Sequence, residues 1–193
     1  WYIIFLMTNF FSSLSKIIHT SLILAILLFL GLFYQNDGFA FDRLFWSWVT
    51  RFIHVLVGIM WIGLLWYFNF VQIPNMSKIP DEQKPAISKV IAPAALFYFR
   101  WGAALTILSG LILAWLNGYL HDAMTLSVGS GIPKHTAIGI GMWLGVVMAF
   151  NVWFVIWPNQ KRALGMIDCD ADLKAKSAKP AMIFSRTNTL LSI

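Results

Sequence analysis

The chain has 193 residues, 59% hydrophobic and only 11% charged, with ten tryptophans, a mean hydropathy of +0.73 and a net charge of +6. Soluble domains are roughly 45–50% apolar and about a quarter charged, so an ordinary soluble domain is excluded and an integral membrane protein is indicated. The positive charge then needs no nucleic acid; the lipid bilayer, with its anionic inner leaflet, is the partner it implies.

In chain order, residues 1 to 11 are apolar but too short to cross ~30 Å of hydrocarbon, and are expected at the interface. A first span covers about 17 to 34, preceded by Lys16. Gly38-Phe39-Ala40 has the small-x-small form of a leader cleavage site, but an apolar run of about seventeen residues is long for a leader, so a retained span is expected. Further spans cover about 46 to 70, 93 to 117 and 136 to 157. Each is uniformly apolar, without the alternation of barrel strands. Only helices and closed barrels satisfy their backbone groups in lipid. The expected fold class is therefore all-α: a polytopic transmembrane helical bundle with four spans. Residues 159 to 186 are expected as a polar helix along the inner surface, before the start of a fifth span near Thr187. One integral membrane domain covers 1 to 193, and no internal repeat is read.

Charge orients this bundle. Lys16, Lys78, Lys84, Lys89, Lys161, Arg162, Lys174, Lys176, Lys179 and Arg186 fall on one side of the alternating spans, against Arg43 and Lys134 on the other. The positive-inside rule puts residues 71 to 92 and 159 to 186 in the cytoplasm, with a bacterial inner membrane as the expected location. Cys169 is the only cysteine, flanked by Asp168 and Asp170, which excludes an internal disulfide and a C-x-x-C-H site for covalent haem c. The glycines of "GIGIGMWLG" lie inside a span and follow no strand. Gly141, Gly145 and Ala149 therefore read as a helix-packing face and not a dinucleotide fingerprint.

Polar groups inside the spans carry the functional expectation. Arg51, His54, Gly58, Trp61, Leu65 and Asn69 recur at spacings of three and four, so they share one helical face. Gly58 is expected to leave room beneath His54, with Trp61 as a wall. The third span adds Arg100 on a face of small residues, and the fourth adds Asn151. Ionisable groups in spans cost at least a few kcal/mol and usually face the bundle interior. Arg51 and Arg100 lie near span ends, where snorkelling to headgroups is the plain alternative. His54 is deeper and is open to three roles: a packing histidine, a proton relay or an axial ligand of haem b. His135 is the one histidine near its level, as a second ligand or an interface residue.

The stretch "RFIHVLVGIMWIGLLWYFNFVQIP" resembles the membrane domain of bacterial PuuD-type urate hydroxylases, the urate oxidase N-terminal domain family. The resemblance continues through "RWGAALTILSG", "GIGMWLGVVMAFNVWFVIWPNQK" and "SRTNTLLSI", and so covers about 45 to 193. The matching positions are Arg51, His54, Trp61, Asn69, Arg100, Trp101, Asn151, Trp157, Pro158, Gln160, Ser185, Arg186, Thr187 and Asn188. It implies a membrane oxidoreductase that hydroxylates urate and passes electrons to a cytochrome c, with Arg51, Trp61, Asn69, Arg100 and Asn151 as substrate-binding groups. Long members carry a C-terminal cytochrome domain, whereas this chain has no covalent haem motif. The other expected class is an accessory subunit, non-catalytic or carrying haem b, of a larger membrane respiratory or electron-transfer complex.

The charge distribution gives a direct test of topology. Cysteines placed at Lys84 and Lys176 should resist membrane-impermeant labelling from outside intact cells; strong labelling at either would reverse the orientation.

Overall fold

A computed structural model describes residues 7–8, 10–35, 38 and 40–193. The chain is 83% helical, with no strand among the described residues, which bears out the all-α class. Most of residues 1 to 11, and Phe39 of the cleavage-like triplet, lie outside the described residues.

Among the described residues, four helices are long and apolar enough to cross a membrane: α1 (Leu14–Gln35), α2 (Arg43–Lys78), α3 (Lys84–Leu116) and, after a short α4 (Leu120–Met124), α5 (Pro133–Ala163). The last helix is α6 (Ala171–Leu191). The helices outrun the apolar windows read from sequence because they continue beyond the apolar stretch into polar ends such as Met76–Lys78 and Trp157–Ala163.

The chain forms two compact units, Trp1–Phe45 and Trp46–Ile193. In the first, α1 buries none of its residues. Phe33 stacks on Phe41, which meets Phe45 edge-on at 4.9 Å. The Asp42 carboxylate accepts from the Phe45 backbone N–H at 2.9 Å, the bond of a helix N-cap.

In the second unit, α2, α3 and α5 meet around Trp61, Leu65, Phe68, Leu96, Phe99, Ala103, Met148, Val152 and Ile156. Phe68 and Phe99 pack edge to face at 5.7 Å. Small residues let the helices close: a Cβ on Gly102 would sit 3.3 Å from Trp61 Cβ. Large apolar side chains such as Phe52, Ile59, Trp101, Ile112 and Phe154 stay exposed. That distribution suits a bundle surrounded by hydrocarbon, where apolar surface gains nothing from turning inward.

At one end, α4 folds back onto α5. Gly139 receives the carbonyl of Ala123 so closely that a methyl group there would overlap it. Trp143 Nε1 donates to the Met124 carbonyl at 3.0 Å, and Ser127 Oγ to the Ile132 carbonyl at 3.1 Å. These ties hold Leu126 and Ser127 at positive φ, which is unfavourable for side-chain-bearing residues without such support.

At the other end, Lys84 and Asp81 pair at 2.6 Å across the turn before α3. The hydrogen bond from Lys84, and then its charge, hold the Asp81 carboxyl below the usual range. Asp170 caps α6 by accepting from the Leu173 N–H at 2.6 Å. This helix runs unbroken through Thr187 and buries Ser177, Ala181, Ser185 and Asn188 against the bundle. Residues 171 to 191 thus form one helix, with Lys174, Lys176 and Lys179 exposed and its small residues turned inward.

Candidate functional site: a histidine cavity and a buried amide layer

Three helices contain one widened, π-type turn each: Tyr67–Gln72 in α2, Ile87–Ile91 in α3 and Asn151–Ile156 in α5. The cause is visible in the sequence. Each widened turn ends two residues before a proline, Pro74, Pro93 or Pro158. Proline brings no backbone donor and its ring crowds the carbonyl four residues earlier, which here falls inside the widened turn. In α2 and α5 the residue after the proline adds a side-chain donor to a neighbouring carbonyl. Asn75 Nδ2 donates to the Val71 carbonyl at 2.7 Å, and Asn159 Nδ2 to the Val155 carbonyl at 2.8 Å.

These turns aim two asparagines at α6. Asn69 Nδ2 donates to the Leu65 carbonyl at 2.9 Å and to Ser185 Oγ at 2.8 Å. Asn151 Nδ2 donates to Asn188 Oδ1 at 2.8 Å, and Asn188 Nδ2 donates onward to the Met148 carbonyl at 2.9 Å. Asn188 is wholly buried. Arg100 lies at the edge of this layer, its guanidinium carbon 3.4 Å from the ring centre of Trp157 and 5.9 Å from that of Trp153. Its Nε and Nη1 are buried without a partner, as are Trp61 Nε1 and Asn69 Oδ1.

His54 belongs to a different place. A cavity of about 380 Å³ lies between α2, α3 and α5, lined by His54, Gly58, Trp61, Gly110, Tyr119 and Met142 among others. His54 Nδ1 sits 3.0 Å from the Thr106 carbonyl and 3.1 Å from Ser109 Oγ. Ser109 spends its own proton on the Leu105 carbonyl at 2.6 Å, so both neighbours of Nδ1 are acceptors. In the neutral imidazole this arrangement puts the proton on Nδ1 and leaves Nε2 as the acceptor atom. Gly110 admits the ring: a Cβ there would lie 3.0 Å from His54 Cε1. Room for the imidazole thus comes from Gly110 across the helix interface, while Gly58 lines the cavity together with His54 and Trp61.

The structure therefore separates the residues that periodicity had placed on one face. His54 and Trp61 line the cavity; Asn69 and Asn151 bond to α6 in the amide layer; Arg100 packs on the Trp153 and Trp157 rings; Arg51 is exposed on α2. His135 is engaged elsewhere, with Nδ1 3.1 Å from Asp122 Oδ2 and its ring stacked on Tyr119 at 5.3 Å. It is not in the cavity lining. Among the described residues, no group of three or more His, Cys, Asp or Glu side chains could hold a metal ion.

Asn151 has a counterpart elsewhere in the sequence, because a short stretch around Asn69 recurs in part around it. Met60, Trp61, Gly63, Phe68 and Asn69 recur in the same spacing as Met142, Trp143, Gly145, Phe150 and Asn151. "FVQIPN" then matches "FVIWPN". Beyond them Asp81, Lys89, Pro93, Ala94 and Phe97 recur as Asp168, Lys176, Pro180, Ala181 and Phe184. Short stretches of α2 and of the start of α3 thus recur in part along α5 and α6, with shifts of two and three residues between the matching blocks. Comparison with protein-family models, with curated proteins and with solved structures finds no match to the chain.

The amide layer makes a quantitative prediction. Asn188→Ala strands the Asn151 amide in the core and should cost roughly 2–3 kcal/mol. In equilibrium unfolding in detergent, Asn151→Ala should be much less harmful in the Asn188→Ala background than alone. Additive losses would show that the two amides act independently.

Proposed function

We propose that the chain is a membrane-embedded electron-transfer subunit that holds a haem b in the cavity beside His54. The observation that carries this reading is the contact of His54 Nδ1 with the Thr106 carbonyl at 3.0 Å, which in the neutral ring leaves Nε2 as a ligand atom. A backbone acceptor on the distal ring nitrogen is the usual way in which a protein orients a metal-binding imidazole. The cavity volume, about 380 Å³, lies within the range of roughly 300–1,000 Å³ of ligand pockets. Met142 and Met148 bring thioethers to the same lining, a second ligand type that haem iron accepts. When bound, haem supplies one-electron chemistry. Around it, Thr106 and Ser109 hold the imidazole, the glycines give a flat approach, and the apolar lining excludes water.

The chain has no covalent haem motif, so a separate cytochrome c or another subunit of a larger membrane complex is the proposed exchange partner. Under the positive-inside rule this places His54 toward the outer half of a bacterial inner membrane, with residues 71 to 92 and 159 to 186 cytoplasmic. The purified protein should show a Soret band. His54→Ala should abolish that band while helix content is kept, and His135→Ala should leave it nearly unchanged. A folded, colourless protein lacking iron would remove haem from the reading.

A second reading, urate hydroxylase-like chemistry, is favoured by the unpartnered Nε and Nη1 of Arg100. Two buried guanidinium donors beside the Trp157 ring suit the anionic oxygens of a flat purine. Urate hydroxylation releases two electrons, and this chain holds no flavin or nicotinamide fingerprint to receive them. Urate loss should therefore appear only with an added cytochrome c and should disappear in Arg100→Gln. No loss in membranes containing both proteins would leave the electron-transfer reading alone.

A further inference from the structure

At the opposite end of the bundle from His54, a second cavity of about 300 Å³ lies between α2, α3, α5 and α6. Its wall is apolar, with Phe68, Met76, Leu96 and Met182 among the residues, except for Gln72, Ser88, Gln160 and Ser185. The Oε1 atoms of Gln72 and Gln160 are both buried, and neither has a hydrogen-bond partner. A buried acceptor left unmade is costly. Two of them on one cavity, from two different helices, mark a place for donors brought from outside the chain.

The remaining polar groups define the rest of the ligand. Ser185 Oγ already accepts from Asn69 Nδ2 at 2.8 Å, so its own O–H is available to a ligand acceptor. Ser88 is committed to the Lys84 carbonyl at 3.1 Å. No charged side chain is in the lining. An anionic headgroup would find no counter-charge there, while nearby Lys89, Lys161 and Arg162 in the sequence disfavour a cation. The occupant is therefore neutral, donates two hydrogen bonds and is otherwise apolar.

We infer that this cavity binds the head of a membrane quinol: a p-dihydroxy aromatic ring whose two O–H groups donate to Gln72 and Gln160, with its tail along the methionines and leucines. The inference goes beyond the His54 site and does not depend on what that site holds. It concerns binding and assigns no redox step to the cavity.

The test uses the full chain in phosphatidylcholine nanodiscs and a short-chain p-benzoquinol kept reduced under argon. Saturable binding above the empty-disc background is expected, about tenfold weaker for the dimethyl ether of the same quinol, which has the shape but no donors. Gln160→Leu and the cavity-filling Ala163→Phe should each weaken quinol binding by about the same factor. Gel filtration and circular dichroism show whether the variants fold, and the ether comparison on the unaltered chain needs neither of them. Equal binding of quinol and ether would overturn the inference, as would unchanged binding by a folded variant. Displacement of the quinol by added phosphatidylglycerol would also overturn it, assigning the cavity to lipid.

Discussion

A helix surrounded by hydrocarbon must satisfy its own backbone, and three prolines withdraw donors from helices that do not break. That constraint organises the part of the bundle around Pro74, Pro93 and Pro158. Where Pro74, Pro93 and Pro158 enter, the preceding turn widens, and Asn75 and Asn159 supply side-chain donors for the Val71 and Val155 carbonyls. Widening also rotates what precedes it. Asn69 and Asn151 fall within or at the start of such turns, and both reach α6. The contact between α6 and the rest of the unit is thus a hydrogen-bonded seam, with small side chains allowing close approach, as membrane helices commonly pack.

The same physics explains how far the sequence could be read. Helix count and class follow from uniform apolar runs, because no other structure tolerates them, and the four long helices were legible on that ground. The orientation of His54 was only half legible. Its spacing relative to Trp61 placed both toward the interior, but its partners, Thr106, Ser109 and Gly110, come from another helix and leave no trace in local periodicity. Extending the face from Arg51 to Asn69 assumed one regular helix. It failed at both ends: Arg51 turns outward, and Asn69 sits in a turn of different pitch. The V-x-x-P recurrence at Val71, Val90 and Val155 announces that change of pitch, and reading it would have separated the amide layer from the cavity.

Two chemical environments therefore share one bundle. Near His54 the protein supplies a single bare nitrogen lone pair within an otherwise apolar space, an arrangement suited to a flat, weakly polar group. Near Gln72 and Gln160 it supplies acceptors without charge. Between them, Asn69, Asn151 and Asn188 form a fully desolvated layer whose bonds run across helices. Met148 belongs to both neighbourhoods: its side chain lines the His54 cavity while its carbonyl receives Asn188.

The partial likeness of α2 and α5 has a limit that bears on the histidine cavity. Counting back from the shared Met-Trp pair, the position that holds His54 in α2 holds Thr136 in α5. A threonine hydroxyl offers no aromatic nitrogen lone pair. The imidazole is therefore served by one of the two like segments alone.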